Sequence, residues 1–226
     1  MAAASARRAA FAVRVIFLGP PGAGKGTQAA KLAAQLAVPK IGTGEMLRSA
    51  IAAGTPLGRE ARPSMERGSL VPDELLVALV RHRISEPDCD GGFVLDGFPR
   101  TLGQARGLEA MTDGGGSWIV FDFEVPRDVL LRRLSGRRWC PSCQATYHLL
   151  NDPPQQPGAC DACGAGLVQR ADDHESVVAE RLRQYDERTL PLVEYYRTRA
   201  RMLRVDGDRP MDVVFRELVD TVEVRA

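Results

Sequence analysis

Apolar and polar positions along the chain alternate between two textures. Short, nearly continuous apolar runs occur at "VRVIFLG" (13–19), at 93–96 within "GGFVLDG", at "SWIVFDFEV" (117–125) and at "MLRVDG" (202–207). Runs of this length fit strands buried on both faces of a parallel sheet. A shorter strand is predicted at 40–41. Between the runs lie helix-like stretches: "QAAKLAAQLAV" after the first, then 73–86, 102–111, 127–135, 174–188 and 210–222. Strand and helix taking turns predicts a three-layer α/β fold with a five-stranded parallel sheet.

Two segments fall outside that alternation. Residues 43–71 hold helical pieces and no strand. Within them Thr55-Pro56 reads as an N-cap followed by proline at the first helical position. Pro63 is expected to kink or end that helix. Residues 136–169 are rich in proline and cysteine, and too few to build a core. Both segments read as insertions on the rim of the sheet. Residues 1–12, rich in Ala and Arg and free of acid, read as a disordered extension before one domain, 13–226.

Charge adds exclusions. Thirty basic and 29 acidic residues leave a net charge of +1, so no overall field points to nucleic acid or membrane. No apolar run is long enough to cross a bilayer. The expectation is a cytoplasmic monomer. Of five cysteines, Cys89 reads as a small buried residue without function. The other four form Cys140-x-x-Cys143 and Cys160-x-x-Cys163. In a reducing compartment such pairs read as metal ligands before disulfides. Four thiolates close a tetrahedron and leave no position for substrate, so the ion, zinc by this spacing with iron also compatible, serves as a staple.

The chemistry is named by "GPPGAGKGT", a Gly-x-x-x-x-Gly-Lys loop between a strand and a helix. Gly19, Gly22, Gly24 and Gly26 let backbone N–H groups face inward, and with the helix N-terminus they hold a polyphosphate. Lys25 adds a charge at the β- and γ-phosphates. Thr27 stands where such loops place a metal-binding hydroxyl, although Gly26 follows the lysine directly. Asp96 ends a strand and can hold Mg²⁺ or its waters. Arg100 lies four residues on. Thr43 reads by itself as an N-cap. Arg48, then "RLSGRR" with Arg133, Arg137 and Arg138, then "QRADDHESVVAERL" with Arg170 and Arg181, add guanidinium groups. Any one arginine is more often a solvated charge. Several sets at the rim of a phosphate-loop sheet suggest a cage for more than one phosphate.

Taken in order, these motifs resemble the adenylate kinase family from Val13 to the C-terminus: the phosphate loop, Thr-Gly-acid-Met-Leu-Arg, Asp-Gly-Phe-Pro-Arg-Thr, Gly-Arg-Arg and Arg-x-Asp-Asp. The long-lid bacterial type with four cysteines in the lid is the nearest match. The resemblance implies reversible transfer of the γ-phosphoryl group of MgATP to AMP, giving two ADP. It makes 43–71 the nucleoside-monophosphate-binding insertion and 136–169 a lid, both mobile. It sets Gly22, Ala23, Gly24, Lys25, Gly26 and Thr27 around ATP, with Arg137, Thr146, Tyr147 and Arg209 on the adenine and ribose side. AMP falls to Thr43, Arg48, Ser69, Leu70, Val71, Gly97, Phe98, Pro99, Arg100 and Gln104. Arg133, Arg137, Arg170 and Arg181 gather at the transferring group with Lys25, Asp96 and Arg100, and Arg170 and Arg181 also reach AMP.

Three positions depart from the family: Gly42 replaces a serine, Glu45 an aspartate, and Pro63 falls within a helix the family usually runs through. The acceptor is a phosphate with a second pKa of about 6, so no general base is needed. That suits a chain whose histidines, His82, His148 and His174, pair with no obvious nucleophile. Alternatives are a UMP/CMP-type kinase, GTP as donor, or a zinc-ribbon nucleic-acid module on a phosphate-loop fold. Thr101 after Arg100 and the long lid favour AMP. Near-neutral charge and few aromatics near the cysteines weigh against nucleic acid.

Overall fold

The four apolar runs and the short segment at 40–41 become five parallel strands. They are β1 (Val13–Leu18), β2 (Lys40–Gly42), β3 (Gly92–Asp96), β4 (Trp118–Glu124) and, after a two-stranded hairpin, β7 (Arg201–Asp206). The computed structural model describes residues 13–112 and 118–223, so the expected extension at 1–12 lies outside the described residues. The sheet order is β2-β3-β1-β4-β7, with every pairing parallel. Side chains on β1 alternate between the two faces. Val15 and Phe17 join one core with Phe121, Phe123, Leu32 and Leu218. Ile16 and Leu18 join the other with Leu95, Phe98, Val120 and Tyr196.

Helices cover both faces: α1 (Lys25–Gln35), α2 (Thr43–Ala52), α3 (Pro56–Glu66), α4 (Asp73–Ile84), α5 (Leu102–Met111), α6 (Arg127–Gly136), α7 (Glu175–Gln184), α8 (Pro191–Arg197) and α9 (Met211–Glu223). Three of them correct the sequence reading. Helix α1 begins at Lys25 itself rather than at Gln28. Helix α7 gives way to a π-helical turn, Tyr185–Thr189, and α8 follows with Pro191 in its first turn, where the missing N–H costs no bond. Helix α3 runs through Pro63 to Glu66 instead of ending there. Pro63 sits in the last turn, and α3 is held from outside, since Ala61 is fully buried and Gly58 packs against α2. Tertiary packing outweighs the local propensity. The N-cap at Thr55 stands as expected, its hydroxyl accepting from Gly58 N at 3.1 Å.

The cysteine-rich segment, read as loop, has regular structure. Strand β5 (Arg137–Trp139) pairs antiparallel with β6 (Thr146–His148). Two knuckles repeat one pattern. Cys140 N–H donates to the Ala145 carbonyl (2.9 Å) and Gln144 N–H to that of Cys140 (2.9 Å). Cys160 N–H donates to Ala165 (2.9 Å) and Gly164 N–H to Cys160 (2.7 Å). Among the described residues, no helix is long and apolar enough to cross a membrane.

A methyl group on Gly58 would lie 2.1 Å from the Ala50 carbonyl oxygen, which is backbone and has no way to yield. Gly58→Ala is therefore expected to push α2 and α3 apart, at about 2–3 kcal/mol and a Tm loss of roughly 5–10 °C. Thermal unfolding of the variant checks this; an unchanged Tm would show that the two helices slide freely.

Candidate active site

Strand β1 lies between β3 and β4; the connection leaving β1 runs one way, to β2, and those leaving β3 and β4 run the other, and this reversal opens a crevice at the C-terminal end of β1, the usual ligand position in such sheets. The register aligns the strand ends there: Phe17 with Asp96, and Gly42 with Asp96. The phosphate loop turns through Gly22 (φ 87°) and Gly24 (φ 89°), a conformation that side chains resist, and runs straight into α1. Lys25 Nζ donates to the Gly19 and Pro20 carbonyls at 2.6 and 2.7 Å. Thr27 is exposed in the cleft. The Asp96 carboxylate lies across from Gly26, and among the described residues it makes no hydrogen bond or ion pair.

The cleft has a volume of about 830 Å³. Every residue expected to touch nucleotide lines it except two, Phe98 and Gln104. Phe98 is fully buried in the core. Gln104 is buried with both ends occupied: its Oε1 accepts from Arg100 N at 2.8 Å and its Nε2 donates to Asp73 Oδ1 at 2.8 Å. The Arg100 carbonyl accepts from Thr189 Oγ1 at 3.0 Å, so its backbone is tied on both sides. Thr43, expected as an N-cap, is the first residue of α2 and makes no cap. Its hydroxyl crosses to β3 and donates to the Gly97 carbonyl at 2.8 Å, where Arg100 Nε also donates at 2.8 Å. Gly97 has φ 78°, and a Cβ there would lie 2.8 Å from an Arg100 nitrogen.

The cations of the cleft fall into two sets. One is paired with protein. Arg137 forks onto Asp173, with Nε to Oδ2 at 2.6 Å, and Arg181 reaches Asp173 at 2.8 Å and Asp172 at 3.1 Å. Arg133 binds the Gly207 carbonyl (2.8 Å) and Asp208 (3.1 Å), and Arg209 pairs with Glu217. Apart from the exposed Lys31, which lies over the Phe215 ring, and Lys40, which pairs with Glu45, the other set is Lys25, Arg48, Arg100 and Arg170. Among the described residues none of these four has a carboxylate within ion-pair distance. Burial lowers the pKa of all four: Lys25 to about 7, Arg170 to about 9 with Arg137 and Arg48 adding repulsion, and Arg48 and Arg100 by direction.

Asp172 and Asp173 were not among the expected site residues, although "RADD" spells two acids between two arginines. Burial works to raise the pKa of Asp172, but the charges of Arg181, Arg137, Arg48 and Arg170 outweigh it and hold the carboxyl low. The departure at Glu45 also has a partner, since it pairs with Lys40. A Cβ at Gly42 would stand 3.0 Å from Glu45 Oε2, so the glycine makes room for the longer acid.

The sulfurs of Cys140, Cys143, Cys160 and Cys163 all lie within 4.8 Å of one another. Tetrahedral thiolate ligands at about 2.3 Å from an ion stand about 3.8 Å apart, so the four fit one metal. Burial of Cys140 and Cys160 shields one side of the cluster. The Tyr147 hydroxyl bonds Cys160 Sγ at 3.4 Å and helps draw that thiol down to about 6, and it accepts from Asp161 N at 2.9 Å. Tyr147 is thus committed at its hydroxyl to the metal knuckle and offers the cleft its ring.

A parallel sheet with a phosphate loop at its switch point, and insertions carrying arginines over the cleft, defines a phosphate-loop nucleoside monophosphate kinase. Comparison with known proteins narrows this. The adenylate kinase family profile matches residues 17–201. The adenylate kinase of Moorella thermoacetica is 53% identical over 89% of this chain and 94% of its own. Those of Syntrophobacter fumaroxidans (49%; 90% and 96%) and Archaeoglobus fulgidus (45%; 93% and 98%) are also similar. The chain belongs to the adenylate kinase family: it is an enzyme that transfers phosphoryl groups between ATP and AMP.

The Lys25 environment makes donor binding pH-dependent. With its pKa lowered to about 7, Lys25 is largely neutral at pH 8 in the free enzyme. A bound polyphosphate raises that pKa again, so binding takes up a proton and weakens as pH rises above 7. Calorimetry at pH 8 in two buffers of different ionisation enthalpy is expected to find about one proton taken up per MgATP, and none in Lys25→Arg, since a guanidinium stays charged.

Proposed function

We propose that Lys25, Arg48, Arg100 and Arg170 are the phosphate ligands of this enzyme, and that the paired arginines form the frame that aims them. The observation that carries this is the split itself. Four cations without carboxylate partners converge on one cleft, and unpaired buried charge is tolerated where an anion completes it. In this reading Gly22 to Thr27 cradle ATP, with Arg133, Arg137, Thr146, Tyr147 and Arg209 along its outer side. Thr43, Arg48, Ser69 to Val71, Gly97 and Arg100 hold AMP. Gln104 fixes the backbone of Arg100 while its ends are engaged as seen here.

The acceptor phosphate is already an anion, and what opposes reaction is repulsion between two anions. Lys25 and the guanidinium groups offset it and stabilise charge on an in-line transition state. Asp96 and Thr27 are the residues that would hold the Mg²⁺ brought with ATP, whose charge further neutralises the phosphates. Segments 43–71 and 136–169 close over the nucleotides and exclude water, which would otherwise accept the phosphoryl group. The four cysteines hold zinc as a staple for the lid. The protein works as a cytoplasmic monomer; the cytoplasmic reading is supported by four cysteines grouped as ligands for one metal rather than paired two by two.

A nucleotide matrix tests the function. With ATP, GTP or UTP as donor and AMP, UMP or CMP as acceptor, the ATP–AMP pair is expected to give the fastest turnover. Faster reaction with UMP or CMP would refute the assignment of the acceptor site.

Arg100→Lys keeps the charge but loses the planar fork that grips a phosphate with two parallel bonds. Weaker AMP binding by roughly tenfold or more, with MgATP binding nearly unchanged, is the outcome expected from calorimetry. Equal losses for both nucleotides would make Arg100 a shared or structural group.

Metal removal separates staple from catalyst. Chelation or Cys160→Ser is expected to lower Tm by several degrees, because a structural metal contributes folding free energy, while much activity survives well below the new Tm. Bound metal, Tm and kcat measured on the same samples decide. Activity falling in strict proportion to metal in fully folded protein would make the ion catalytic.

A further inference from the structure

Trp139 ends β5 and is fastened on two sides. Its register partner is Thr146, and its N–H and carbonyl exchange hydrogen bonds with Val168 at 2.8 and 2.9 Å. Its ring position is therefore set by the lid. Two guanidinium groups lie over that ring, those of Arg48 and Arg170, each 5.9 Å from the centroid. They come from different parts of the fold. Arg48 belongs to α2, in the first insertion, and Arg170 follows the lid. Trp139 is not among the residues lining the cleft, whereas both arginines are.

Arg48 is the more telling of the two. Among the described residues its guanidinium makes no hydrogen bond and no ion pair, and its Nε is buried without a partner. The indole face is what it rests on. Arg170 has one further anchor, from NH2 to Thr146 Oγ1 at 3.0 Å, and Thr146 is itself the residue paired with Trp139. A second contact joins lid to insertion close by: Gln144 Nε2 donates to Ser49 Oγ at 2.6 Å, and Ser49 is next to Arg48.

A ring with its negative face toward two like charges offsets their repulsion without neutralising either, which a carboxylate would do. Arg48 keeps all its guanidinium donors for a phosphate, and Arg170 all but the one given to Thr146. We propose that Trp139 is a positioning residue of the transfer reaction: a bearing on the lid that orients Arg48 and Arg170 together, so that the acceptor site is completed only when the lid is down. A donor nucleotide that holds the lid thereby tightens the acceptor site, although Trp139 touches neither substrate. The proposal rests on the reading of Arg48 as a ligand of the AMP phosphate.

The test measures AMP affinity by calorimetry with and without a non-hydrolysable MgATP analogue, for the wild type, Trp139→Leu and Trp139→Phe. Bound metal and Tm are recorded to show that the neighbouring Cys140 site is intact. In the wild type the analogue is expected to tighten AMP. In Trp139→Leu that tightening should fall by roughly two- to thirty-fold, the range of a partly desolvated cation–π contact, with AMP affinity in the absence of donor little changed. Trp139→Phe should restore part of it. Tightening that persists in Trp139→Leu, or a phenylalanine no better than leucine, would overturn the proposal. A wild type that does not bind AMP at all would instead sink the acceptor assignment.

If Trp139→Leu fails to fold around its metal, the native ring serves as reporter. In a Trp118→Phe background Trp139 is the remaining tryptophan. Iodide quenching of its emission should then fall when analogue and AMP are bound together, and not with AMP alone. Quenching that is the same in every state counts against the proposal.

Discussion

The site depends first on one carboxylate. Asp173 has no exposed side-chain surface, and Arg137 and Arg181 both bond to it. It sits in the short turn Ala171–Asp173, between the cysteine-rich segment and α7. Arg137 opens that segment and Arg181 lies in α7, so the same acid that balances the cage also ties the lid to the body of the fold. Without it Arg137 would lose its carboxylate partner, and Arg181 would keep Asp172 alone. A buried charge stripped of its partner is among the costlier defects a fold can carry.

That arrangement explains how so much positive charge is packed into one cleft of a nearly neutral chain. The paired arginines hold fixed directions before any ligand arrives. The unpaired ones have no carboxylate to give up. The reaction therefore needs little reorganisation at the moment charge moves, which is where such sites gain most of their effect. The lid adds a second economy of design. Its knuckles are two copies of one hydrogen-bond pattern, and Tyr147 both bonds Cys160 of one knuckle and lines the cleft.

Much of this was legible in the sequence, for a physical reason in each case. Four apolar runs give four of the five strands because a parallel strand buried on both faces has no polar alternation to confuse it. The phosphate loop is legible because glycines and lysine are needed at set intervals for a backbone to wrap phosphate. What escaped was decided by tertiary context. Pro63 looked like a helix end, but α3 is held in place by its contact with α2. Thr43 looked like a cap, but its hydroxyl serves a carbonyl 54 residues away. Asp172 and Asp173 were visible as letters, yet only folding shows which arginines they occupy and which they leave free. Helix α8 lies beyond the end expected at 188, where Pro191 begins a further helix after the π-helical turn.

Gly42 and Glu45 illustrate how such couplings constrain the history of a sequence. Space at one position is taken by the extra methylene at the other, and the Glu45 carboxylate is anchored to Lys40. A side chain regained at 42 while the long acid stands would press on an ion pair that has little room to give. Shortening the acid first opens the space but loosens its hold on Lys40. The order in which the two changes occur is therefore not free. A lineage carrying this pair is channelled towards keeping both or passing through a weaker intermediate, so identity at either position informs the other even though the two are never read by the substrate in the same way.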